Sequence, residues 1–121
     1  MRNFRELKIW QRSRILAKDI YLLTEDLPST EKFGLRSQIR RAAVSVPSNI
    51  SEGSGRSTSR QFSHFLDISI GSLCEMETQV ILCSDLDLLE QDNVRATACL
   101  KEIIEVRRMI LGYQKRLRSD S

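Results

Sequence analysis

Ser63, His64 and Asp67 lie together in the chain, and His64 is the single histidine among 121 residues. A hydroxyl, an imidazole and a carboxylate are the parts of a nucleophilic triad, but a triad needs them to converge with a geometry that one helix does not supply. The cluster therefore reads as polar helix surface, and no catalytic residue is assigned. One histidine also excludes a His-based metal site and a pair of acid/base histidines. Glu75 and Glu77, two residues apart, fall on different helix faces, and no Glu-x-x-His motif of the di-iron kind occurs. Cys74, Cys83 and Cys99 fit neither a disulfide framework nor a zinc site, and they read as reduced thiols packed like small apolar groups. Neither metal nor cofactor is expected.

Binding chemistry is better represented. Gly53-Ser54-Gly55-Arg56 leads toward a helix start, where orphan amides attract anions. It lacks the lysine spacing of a nucleotide-binding loop, which leaves a plain turn or a phosphate contact as its readings. Arg36 and Arg40 are i, i+4 neighbours with Arg41 beside them, and Arg56 and Arg60 bracket the next helix start. Lys101, Arg108 and Lys115 repeat every seven residues, while Arg5, Lys8 and Arg12 share a face. Together they suggest a surface for nucleic-acid phosphates, with Arg36, Arg40, Arg41, Arg56, Arg60, Lys101, Arg108 and Lys115 as the candidate contacts. Base stacking is not expected, because aromatic residues do not interleave with the basic ones and Trp10 lies on an apolar stripe that reads as core. Residues 1–60 carry 12 Lys/Arg and 6 Asp/Glu, residues 61–94 none and 7, and residues 95–121 seven and 3. This pattern either orders the helices or polarises the surface.

The elements that must position these residues are long. With 40% hydrophobic and 29% charged residues the chain can fill one core, and 5 Gly and 2 Pro are too few for the turns of a β-sandwich. Apolar periodicity predicts helices at about 5–27, 31–52, 59–84 and 90–117. Asn3 with Glu6 and Thr58 with Gln61 have capping-box spacing. Pro47 should kink the second helix, with Asn49 and Glu52 serving the freed backbone groups and Gly53 ending it in the left-handed conformation. Gly71 sits in a small-residue stretch that suggests close helix approach. Short connections make neighbours antiparallel, so the expected fold is a single all-α, up-down-up-down four-helix bundle over residues 1–121. The last helix is apolar around more than half its circumference, which suggests a subunit interface. No apolar run is long enough to span a bilayer and no signal segment opens the chain, so the expected location is the cytoplasm.

The block Gly34-Leu35-Arg36-Ser37-Gln38-Ile39-Arg40-Arg41-Ala42-Ala43-Val44-Ser45-Val46-Pro47-Ser48-Asn49-Ile50-Ser51-Glu52-Gly53, followed by Gly55-Arg56, closely resembles the four-helix 23S rRNA intervening-sequence proteins. Leu7-Lys8-Ile9-Trp10-Gln11 is similar to that family's opening helix, and Phe62 to Glu77, with Gly71-Ser72-Leu73 and Glu75, to its third. Ser51 stands where the family often has alanine. The resemblance implies a bacterial bundle assembling into a ring, commonly a homopentamer, and a relation to accessory proteins of diversity-generating retroelements, which bind nucleic acid and a reverse transcriptase. It implies no established enzymatic activity. The expected function is a non-enzymatic oligomeric adaptor binding structured RNA or DNA; the rival is a protein-binding scaffold whose arginines serve subunit or partner contacts.

Overall fold

The computed structural model describes residues 2–31 and 34–120. Its order is a 3-10 turn at Phe4–Glu6, α1 at Lys8–Thr24, a 3-10 turn at Ser29–Glu31, α2 at Leu35–Ser54, α3 at Ser59–Asp85 and α4 at Val94–Asp120. Each helix touches its two neighbours, α1 with α2 and α4, and α3 with α2 and α4. Among the described residues neither diagonal pair brings Cα atoms within 8 Å of each other. This is an antiparallel four-helix bundle about 40 Å long, from 27 residues at 1.5 Å each.

Its interior is filled by the predicted stripes. Leu16, Ile20, Phe62, Leu66, Leu73, Met76, Ile103 and Ile110 are all essentially inaccessible, each worth about 1.5–3 kcal/mol on burial. Each edge of the bundle also carries a polar clasp. Arg12 grips Glu102 across α1 and α4 at 2.6 and 3.0 Å, and Arg107 reaches Glu77 across α4 and α3 at 2.8 Å. Ser69 donates to the Val46 carbonyl at 2.9 Å, and Ser72 meets Ser45 at the same distance. Buried Gln114 donates to the Ser63 carbonyl and to Asp67 Oδ1 at 3.0 and 2.7 Å.

Several local expectations change. Asn3 and Glu6 close the 3-10 turn, with Asn3 Oδ1 accepting from the Arg5 amide at 3.2 Å. Leu7 is extended, so α1 starts at Lys8. The expected start of α2 at 31 becomes a 3-10 turn. Residues 32 and 33 lie outside the described residues, and α2 begins at Leu35. Thr58 caps α3 as expected, accepting from the Gln61 amide at 3.1 Å. α4 begins at Val94 rather than near 90 and runs to Asp120. α2 continues through Pro47 to Ser54. Asn49 Nδ2 donates to the Ser45 carbonyl at 2.8 Å, whereas Glu52 serves no backbone group and pairs with Arg56.

The glycines exchange roles. Among the described residues no glycine has positive φ, so Gly53 is helical. A Cβ on it would stand 2.6 Å from Phe65 Cβ and 2.8 Å from Phe62 Cδ1. The close approach expected at Gly71 is therefore at Gly53, while Gly71 is exposed and a Cβ there would meet nothing within 4 Å. Gly71→Ala should accordingly raise unfolding stability by about 1 kcal/mol, the helix-propensity difference, in urea denaturation. A loss instead would mean that another molecule packs against this turn.

Cys83 and Cys99 are buried, and burial pushes both thiols up to about 11, so they stay protonated and unreactive at neutral pH. Cys74 departs from the packed-thiol expectation and is exposed.

Candidate functional site

The antiparallel path re-sorts the charges. Cut at the helix midpoints, one half of the bundle comprises residues 2–15, 45–71 and 107–120, and carries 12 Lys/Arg against 4 Asp/Glu. The other half, residues 16–31, 34–44 and 72–106, carries 6 against 12. Among the described residues a formal +8 therefore faces −6 along the bundle axis, although the whole chain totals +3. The segment charges seen in the sequence become a polarity of the two ends.

The positive end is built by the start of the chain, the α2–α3 connection and the last turns of α4. Arg2 lies over the Phe62 ring at 4.8 Å and lines a shallow recess with Gly55, Arg56 and Ser57. Arg56 pairs with Glu52 at 3.1 Å and stacks on Phe65 at 4.7 Å. A second groove, between the first turns of α3 and the end of α4, is lined by Thr58, Arg60, Ser63, His64, Asp67 and Arg118. Arg60 and Lys115 are exposed. The loop amides of Gly55 and Arg56 donate to the carbonyls of Glu52 and Gly53 at 3.2 and 3.0 Å. The Gly-Ser-Gly-Arg segment is thus a turn in which the Gly55 and Arg56 amides are already engaged.

The eight candidate basic residues divide. Arg56, Arg60, Arg108 and Lys115 are on the positive half; Arg36, Arg40, Arg41 and Lys101 are on the other. Arg36 donates from Nε to the Thr24 carbonyl at 3.1 Å and from Nη2 to the Leu27 carbonyl at 2.9 Å. Arg40 donates to Thr24 Oγ1 at 2.8 Å, to the Tyr21 carbonyl at 3.1 Å and to Glu25 at 2.9 Å, and lies 4.4 Å over the Tyr21 ring. Both arginines thus satisfy the carbonyls at the C-terminus of α1, where positive charge is favoured. The hydrogen bond from Arg40, and then its charge, hold the exposed Glu25 carboxyl below the usual range. Arg41 and Lys101 are exposed. Arg108 forks onto Glu105 at 3.1 and 2.8 Å.

The sequence reading left out Arg2, Arg14, Arg116 and Arg118. Arg116 and Arg118 had a signal, since they share the last turns of α4 with Lys115. Arg2 had none, because its place over Phe62 is set by the fold. Trp10 is half-buried: it packs partly on the core and partly lines an open groove. Ser63 and Asp67 are both occupied by Gln114, while His64 is exposed and meets Phe65 edge-on. This is not the chain of hydrogen bonds a triad requires.

Residues 5–112 match the model of the family described as 23S rRNA-intervening sequence protein. A crystal structure of a protein of unknown function from the S23 ribosomal protein family of Bacteroides thetaiotaomicron superposes with a TM-score of 0.79 at 19% identity. The match covers 88% of this chain and 98% of that one, and it shows the shared fold. No curated protein matches the chain. Neither description names an enzymatic activity, and no helix among the described residues is long and apolar enough to cross a membrane.

Proposed function

We propose that this chain, which belongs to the 23S rRNA-intervening sequence protein family, is a non-enzymatic adaptor that holds RNA or DNA by its phosphates at the positive end of the bundle. The observation that carries the reading is the gathering of 12 cationic side chains against 4 anionic ones on one half. A polyanion is the partner that such an end favours, and it is bound largely through release of its counterions. The adaptor works as a homo-oligomer, with a ring of five copies as the expected form. The exposed apolar side chains Ile81, Ile104, Leu111 and Val94 on α3 and α4 support that assembly, Val94 being 83% exposed.

The test is a salt titration of binding to duplex and single-stranded oligonucleotides, with sedimentation as the control for assembly. The logarithm of affinity should fall linearly with the logarithm of salt. Arg60→Gln and Lys115→Gln should each flatten the slope by about 0.9 on duplex DNA and about 0.7 on single strands, with sequence preference unchanged. A folded oligomer with no salt-dependent affinity for any RNA or DNA would favour the protein-binding scaffold.

A further inference from the structure

We propose that the groove between the first 3-10 turn and α1 takes one unpaired nucleobase of a bound strand, an inference that rests on the phosphate-binding reading and deepens it. The groove has a volume of about 710 Å³ and is lined by Phe4, Arg5, Trp10, Gln11, Arg14 and Ile15. All six belong to the positive half of the bundle. Phe4 and Trp10 meet edge to face, with centroids 5.1 Å apart and planes at 69°. The Arg14 guanidinium lies 5.1 Å over Trp10, and that of Arg5 lies 6.0 Å from the Phe4 centroid. Ile15 adds an apolar side chain that is 52% exposed. Gln11 Nε2 donates to the Arg5 carbonyl at 2.8 Å, which ties the turn carrying Phe4 to α1.

The chemistry follows from this combination. Two aromatic rings left partly open to water favour a flat apolar partner, and a guanidinium lying on one ring presents its other face to a further π-system. The arginines favour an anion. An unpaired nucleotide supplies both a stacking face and a flanking phosphate, whereas a duplex hides its base faces and an acidic peptide lacks them. The fold, not the linear pattern, makes the stacking site: it brings Phe4 from the turn against Trp10 and Arg14 from successive turns of α1.

Trp10 is the single tryptophan, so its emission reports on the groove in the intact chain. The probes are a uridine strand of about 12 nucleotides, an abasic strand of the same length and charge, and a duplex of that length. Affinity is read by anisotropy of the labelled strand. The uridine strand should quench Trp10 and bind about 5- to 100-fold tighter than the abasic strand. Phe4→Ala and Arg14→Gln should each shrink that ratio. Equal affinity for the uridine and abasic strands, or unaltered Trp10 emission at saturation, would overturn the base site while leaving phosphate binding intact. Binding of no strand at all would overturn both. If either variant failed to fold, the wild-type comparison of the two strands would still decide.

Discussion

Gly53→Val should lower unfolding stability by about 3 kcal/mol or more, and Gly53→Ala by about 2 kcal/mol, the upper part of the cost of overpacking a core. The added Cβ would lie 2.6 Å from Phe65 Cβ, 2.8 Å from Phe62 Cδ1 and 3.3 Å from the Phe62 carbonyl oxygen. Phe65 Cβ and the Phe62 carbonyl are tied to the α3 backbone and cannot rotate aside. Phe62 is fully buried, so its ring has nowhere to go. The remaining response is for α2 and α3 to separate, which opens voids along their seam. Alanine recovers about 1 kcal/mol of helix propensity over glycine, and the net figure for Gly53→Ala allows for that. Urea denaturation of this variant beside Gly71→Ala makes the comparison internal: same residue change, opposite sign. Wild-type stability in Gly53→Val would contradict the close approach.

Arg40→Ala should cost about 2–3 kcal/mol of stability and leave the salt dependence of nucleic-acid binding unchanged. A hydrogen bond from a charged donor contributes about 1.5–3 kcal/mol net, and truncation leaves the buried Thr24 hydroxyl without its donor. Stacking on Tyr21 adds about 0.5–1 kcal/mol. The side chain is 21% exposed, so solvent weakens these terms only in part. Arg40→Lys should recover little, since an ammonium cannot fork between Thr24, Tyr21 and Glu25. The pair with Glu25 has a definite pH sign. A carboxyl held low in the folded state lends stability above its unfolded pKa, and that stability is lost as pH falls through the lowered value. Glu25 is exposed, so this part is minor and should vanish in Arg40→Ala. Unchanged thermal unfolding with weakened, less salt-sensitive binding would show instead that Arg40 faces the ligand.

The parts of the fold legible in the sequence are those decided within one helix. The stripe of α3 and its Thr58 cap need only local spacing, and both are found. Local signals mislead where two structures use the same chemistry: the Asn3 cap fits a 3-10 turn as well as an α-helix, and Leu7 decides between them by its extended backbone. Contacts between helices were not legible. Arg36 and Arg40 are recognisable as a pair at i, i+4, but their acceptors are carbonyls of another helix. Gly53 and Gly71 both interrupt helices, and only the packing tells which one a neighbour touches. The candidate site was half visible for the same reason. Charges counted along the chain mix the two ends of every helix, and separating them requires the antiparallel path.

That separation bears on how the molecule meets a partner before any contact forms. The centres of the two halves lie about 20 Å apart, half the bundle length, while mobile ions at physiological strength damp a field over about 8 Å. Arg12, Arg107 and Arg108 pair with Glu102, Glu77 and Glu105 across the midline, but the charges farther out at one end are screened from those of the other. A polyanion at close range exerts a torque on the bundle, drawing the positive end inward and pushing the acidic end away. Diffusional encounters are thereby sorted by orientation, and the rate of productive collision exceeds what a molecule of uniform +3 charge would reach.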